Sequence, residues 1–151
     1  MQPQTAEVQL RVASFADLDT RTLYDLLRLR VDVFVVEQEC AYPELDGRDT
    51  ELGTRHLWLA RDRTPVAYLR ILDDGDRERI GRVVVAGAER GRGHAARLLD
   101  EALTVVGRRA CVLDAQAHLV DFYAGYGFRP TGPEYLDDGI PHVPMRRDPT
   151  P

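Results

Sequence analysis

Arg90-Gly91-Arg92-Gly93-His94-Ala95 stands between a β-branched run, Ile80 to Val85, and an amphipathic helical segment. Two glycines let the backbone turn tightly with several amide N–H groups pointing one way. The helix that follows brings its positive dipole end to the same spot, so the stretch reads as a cradle for a phosphate or diphosphate. Arg90 and Arg92 add charge suited to that ligand; a solvated charge pair is the plainer reading of the same two residues.

Upstream, His56 to Arg61, Val66 to Leu72 and Arg79 to Val85 are strand-like runs. The short turns Asp62 to Pro65 and Asp73 to Asp76 separate them. Such turns make the three strands antiparallel neighbours. Before them, Val8, Leu10 and Val12 alternate as a strand, and Leu23, Leu26, Leu27, Val31 and Phe34 share one helical face. Arg30 and Glu37 fall on that same stripe. Residues 41–54 are rich in Pro, Gly and Asp and read as a loop.

Downstream, Ala95, Leu98, Leu99, Ala102 and Val106 mark an amphipathic helix. A short strand from Cys111 to Asp114 and a short helix from about Leu119 to Tyr126 follow. Phe128 to Thr131 and His142 to Arg146 complete the order β-α-β-β-β-α-β-α-β-β, a mixed α/β (α+β) plan. Residues 6–147 read as a single domain with loose tails at 1–5 and 148–151.

The net charge of −5 and pI of about 5.4 argue against a non-specific nucleic-acid binder. No apolar run is long enough to span a membrane and the N-terminus has no signal-peptide core, so a cytoplasmic location is expected. All 20 basic residues are arginines, which reads as compositional bias. Cys40 and Cys111 have no metal-ligand spacing and read as reduced core thiols. No His/Cys/carboxylate pattern suggests a metal.

Gly91, Gly93 and Ala96 also fit a dinucleotide fingerprint, with Asp114 as the ribose acid. That fingerprint requires its first glycine at the strand end, whereas Ala86 to Arg90 intervene. It also requires a parallel βαβ unit, whereas this strand arrives through hairpins.

Arg90-x-x-Gly93-x-Ala95 resembles instead the acyl-CoA diphosphate loop of the GNAT N-acetyltransferase superfamily. Phe122-Tyr123-Ala124-Gly125-Tyr126-Gly127-Phe128 is similar to a second signature of that superfamily. The segments Leu29 to Gln38, Asp46 to Asp49, Arg55-His56, Val66 to Leu72, Ala115 to Leu119 and Asp138 to His142 narrow the resemblance to its ElaA-like branch. It runs from about Leu23 to Met145; Ala95 departs from a common glycine without preventing close approach.

The resemblance implies a GNAT fold with antiparallel N-terminal strands and a splayed parallel pair at the CoA site. It implies an acetyl-CoA-dependent acyltransferase in which an amine attacks the thioester directly. Arg90, Gly91, Arg92, Gly93, His94 and Ala95 would hold the diphosphate, and Gln116 would offer an amide to CoA. Val83, Val84 and Val85 would pair main chain to main chain with pantetheine. The Val85 amide would donate to the developing oxyanion, and Tyr123 would be the general acid and a CoA contact.

The base is open: Glu37 is one candidate, a buried ion pair of Glu37 with Arg30 or Arg70 being the alternative. Arg30, Glu37, His56, Arg70 and His142 are the expected acceptor-side residues. Asp46, Asp49, Glu51, Asp137 and Asp138 would make the pocket acidic, favouring a small-molecule amine or a peptide amine. A CoA-binding regulatory module and an acyl-homoserine-lactone synthase-like enzyme are the alternatives. The chain is short for the long acyl cavity of the latter. A monomer or a homodimer is expected.

Overall fold

The structure is a computed structural model that describes residues 7–151. The expected loose N-terminal segment lies outside the described residues. Among them, eight strands form one mixed sheet. β1 (Val8–Ser14), β2 (Arg55–Arg61), β3 (Thr64–Asp73) and β4 (Arg77–Val85) form an antiparallel run. β5 (Ala110–Gln116) lies parallel to β4. β6 (Arg129–Pro130), β7 (Tyr135–Asp137) and β8 (Ile140–Arg147) complete it, with β8 antiparallel to all three of β5, β6 and β7. The β2–β3 hairpin turns at Asp62 and Arg63, both left-handed, the pairing that matches the strands' own twist.

Two helices cover opposite faces, and the period of two in β2 and β3 explains why. Leu57, Leu59, Leu69 and Ile71 point to one face and pack with Leu98, Leu99, Ala102 and Val106 of α2 (His94–Val106). Their neighbours Trp58, Ala60 and Tyr68 point the other way, onto Leu26 and Leu29 of α1 (Thr20–Val31). Asp19 caps α1 by accepting from the Thr22 amide at 2.7 Å. The helix then widens into a π-helical turn, Asp32–Glu37, where an unbroken helix was expected. A short α3 (Val120–Ala124) follows β5.

Two features open the sheet. Tyr68 pairs with Val84 and Arg70 with Gly81, so Arg82 and Val83 together face Leu69. Arg82, at φ +53°, is the left-handed residue of this bulge. β4 and β5 pair only over Arg77–Arg79 and Ala110–Val112, and beyond Arg79, ahead of the bulge, their pairing ends.

Two expectations are corrected here. The chain end is tied down: Asp148 pairs with Arg129 and Arg146, and the Thr150 amide donates to the Arg108 carbonyl at 3.1 Å. The Pro/Gly/Asp-rich segment before His142 contains β7, which forms a tight hairpin with β8 through Asp138 and Gly139. No helix among the described residues is long and apolar enough to cross a membrane. Among them, no group of His, Cys, Asp and Glu could hold a metal ion.

Candidate active site

A cleft of about 670 Å³ occupies the gap between β4 and β5. Ile80 to Val85 form one wall; Leu113, Gln116, Leu119 and Tyr123 form the other. Glu37, Arg90 and Ala95 close one end, and Asp137, Asp138 and His142 of the β7–β8 hairpin line another part.

At the loop end, Gly91 and Gly93 both have positive φ, +79° and +80°. A Cβ there would meet nothing within 4 Å, so the glycines are required by conformation and not by crowding. Gly93 occupies the N-cap of α2 and supplies no side-chain cap. Among the described residues, no acceptor meets the amides from Gly91 to Ala96; the first helix bond is Arg97 N–H to the Gly93 carbonyl at 3.1 Å. Unpaired amides at the positive end of a helix fit a diphosphate. Arg92 lies beside Glu89, which also accepts from Arg61 and contacts His94 Nε2 at 3.1 Å.

Along the wall, the Ala86 amide donates to the Val66 carbonyl at 2.9 Å, which makes Val85 and Ala67 a non-hydrogen-bonded pair. The N–H and C=O of Val85 therefore face away from β3, toward the gap. An extended chain laid there would meet a strand edge that no other strand covers, its Val85 carbonyl accepting from Arg90 Nε at 3.3 Å.

Tyr123 is 5% exposed and lines the cleft. Its hydroxyl has no partner among the described residues, and burial pushes its pKa up to about 12. Phe122 and Phe128 hold the ring edge-on. Tyr126 packs toward the core, its hydroxyl donating to the Ala96 carbonyl at 3.4 Å. Cys40 also lines the cleft, with its thiol pKa raised by burial and by Asp138 and Asp137.

The acceptor-side expectations divide. His142 lines the cleft, and its Nδ1 donates to the Ile140 carbonyl at 2.7 Å. That bond fixes the tautomer, and Nε2 has no partner among the described residues. Arg30 and His56 are corrected: each is 1% exposed and neither lines the cleft. Arg30 bridges Glu44 at 2.7 Å and Asp49 at 2.8 Å, binding the 41–54 loop to α1. Arg70 reaches the cleft wall but is held by Asp46 and Asp49. Neither arginine pairs with Glu37. The helical stripe left such a pair open as the alternative to a base, but the π turn carries Glu37 elsewhere, to Arg90 Nη2 at 2.5 Å.

The expected acidity of the pocket is corrected in the same way. Asp46 and Asp49 are consumed by Arg70, Arg82 and Arg30, and Glu51 by Arg48. Arg70 and Arg30 hold Asp46 and Asp49 below the usual carboxylate range, against the pull of burial. Asp137 and Asp138 line the cleft with no ion pair among the described residues. The missed residues are Glu44, Tyr68 and Arg82. A lone Arg or Glu in a polar stretch reads as solvated, and only the loop's return over the sheet buries them.

A sheet bulged on β4 against β3 and parted between the parallel strands β4 and β5, with unpaired helix-start amides at one end of the gap and a buried phenol in it, is the arrangement of an acyl-CoA N-acyltransferase. Residues 22–149 match the acetyltransferase (GNAT) domain, and the chain belongs to that family. Within it the chain is ElaA-like. Protein ElaA of Escherichia coli is 41% identical over 140 residues, 88% of this chain and 92% of its own. The ElaA crystal structure superposes with a TM-score of 0.89 over 94% of this chain and 100% of that one, at 38% identity. UPF0039 protein Rv2851c of Mycobacterium tuberculosis is 54% identical over 136 residues, 87% of each chain. An acyl-CoA N-acyltransferase from Pseudomonas aeruginosa superposes with a TM-score of 0.90 at 43% identity, covering 93% of this chain and 99% of that one.

Proposed function

We propose that the protein transfers an acetyl group from acetyl-CoA to a primary amine by direct attack, with Tyr123 as the general acid. Bound acetyl-CoA supplies a thioester carbonyl as the electrophile. The amides of Gly91 to Ala96 hold its diphosphate, and the outward edge of β4, through the Val85 C=O, binds the extended arm as an added strand. Near its thioester end the same edge offers the Val85 N–H to the oxygen that gains charge.

Tyr123 keeps its proton at any working pH and gives it to the departing sulfur. His142 Nε2, with its lone pair directed by the Nδ1 bond, accepts the proton of the incoming ammonium. Glu37, the other candidate base, is engaged by Arg90, which lowers its affinity for a proton. Asp137 and Asp138 favour a cationic acceptor, as a free amine or a peptide amine.

The observation that carries this reading is buried Tyr123, its hydroxyl without a partner among the described residues, in the same cleft as the open edge of β4. Thiol release from acetyl-CoA over a panel of amines tests it. Cationic amines are expected to lead; a preference for neutral or anionic acceptors sinks the acceptor assignment. Turnover unchanged in Tyr123→Phe sinks the acid.

A further inference from the structure

We infer that the Glu37–Arg90 ion pair is a latch across the donor edge: the Glu37 carboxylate and the donor's diphosphate compete for one guanidinium. The inference rests on the acyl-CoA reading of the loop. Arg90 makes two bonds at once. Its Nη2 donates to Glu37 Oε2 at 2.5 Å, and its Nε donates to the Val85 carbonyl at 3.3 Å. The Val85 carbonyl faces the gap and is one of the main-chain groups that an added strand needs. The side chain that should greet the diphosphate therefore lies over the groups that should greet the pantetheine arm.

The π-helical turn makes this possible. By widening the last turn of α1, it delivers Glu37 beside Gly87, where a Cβ would come within 3.7 Å of Glu37 Oε1. Both partners remain about half exposed, at 48% for Arg90 and 46% for Glu37. The pair is accordingly weak enough to open. The neighbouring loop arginine, Arg92, is occupied at longer range by Glu89, 3.5 Å away. Swinging Arg90 toward the unpaired amides of Gly91 to Ala96 exchanges a carboxylate for a phosphate and clears the Val85 carbonyl in one movement. Glu37 thus sets donor affinity from outside the donor's own contacts.

The test is calorimetric titration of coenzyme A into wild type, Glu37→Gln, Arg90→Gln and the double variant, each first checked for an unchanged melting temperature. Glu37→Gln is expected to bind about two- to fivefold tighter, the value of an exposed ion pair. Arg90→Gln is expected to bind about tenfold more weakly, and the gain from Glu37→Gln is expected to vanish in its background. Unchanged or weaker binding by Glu37→Gln overturns the latch and makes Glu37 a neutral neighbour or a support for Arg90. A gain that persists without Arg90 also overturns it, since plain repulsion of the diphosphate then accounts for the effect. Wild type that gives no heat with coenzyme A overturns the reading of the loop itself, a result separate from the other two.

Discussion

The Tyr68 hydroxyl and His56 Nδ1 lie 2.6 Å apart inside the sheet, and the other ring nitrogen, Nε2, donates to the Asp49 carbonyl at 3.0 Å. A carbonyl can only accept, so Nε2 carries the proton and Nδ1 accepts from Tyr68. His56 is thereby a neutral strut between β2 and the 41–54 loop. Burial lowers its pKa below the ordinary 6.5.

That depression has a sign. Below about pH 6.5 the unfolded chain takes up a proton that the folded chain refuses, so stability is present above that pH and falls as pH drops toward the folded value. Urea unfolding at pH 8, 6 and 5 is expected to show a loss approaching about 1.4 kcal/mol per pH unit in this window. His56→Gln should abolish this slope while lowering stability at all three pH values. An unchanged slope in the variant would assign it to other groups.

Arg30 is the buried ion that ties the 41–54 loop to α1. Arg30→Met leaves Glu44 with Arg82 alone and Asp49 with Arg70 alone. Removing one partner of such a network costs about 3–5 kcal/mol, read from the urea midpoint. Because Arg30 is outside the cleft, a variant that still folds should bind coenzyme A nearly as wild type does.

Tyr123→Phe removes a hydroxyl that has no partner among the described residues, so the melting temperature should change little. Turnover should fall by about 10²- to 10⁴-fold, the range of general acid catalysis, with coenzyme A affinity nearly intact. Stopped assays of thiol release together with calorimetry separate the two effects.

His142→Gln should lower kcat/KM for the amine by roughly 10²-fold and leave coenzyme A affinity alone. Equal loss with a pre-deprotonated, weakly basic amine would show that His142 only packs against Tyr135, its ring neighbour at 6.0 Å.

Gly93→Ala tests the cradle without adding a clash, because the Cβ would point into open space. The cost is conformational, about 1–2 kcal/mol for a left-handed alanine. Relief of that strain by straightening the loop would misaim the amides, so weaker coenzyme A binding is expected in calorimetry alongside a lower melting temperature.

Much of this molecule was legible in local pattern. The short apolar run Leu57 to Ala60, set off by the turn Asp62 to Pro65, and the helical spacing of Leu98, Leu99, Ala102 and Val106 named their elements before any neighbour was known. The glycine loop was legible because positive φ and a helix start leave a chemical mark on a few adjacent residues. The π turn left none, and Glu37 was therefore placed on the stripe of Arg30 and not against Arg90. β7 was hidden because Tyr135–Asp137 is three residues long, and only pairing with β8 holds it.

The sequence by itself determined the class of protein and singled out the glycine loop and Tyr123 as the residues on which the proposed chemistry rests, since each reading depends on neighbours close along the chain. Tertiary structure alone decided which charges are free. Arg30, His56 and Arg70 are tied to Glu44, Asp46 and Asp49, or to their backbone, across 7 to 24 residues, while Asp137 and Asp138 are left to the cleft. A charge pattern does not reveal its partner: ion pairing depends on distance in space, and burial, which makes pairing necessary, arises only when the loop folds back on the sheet.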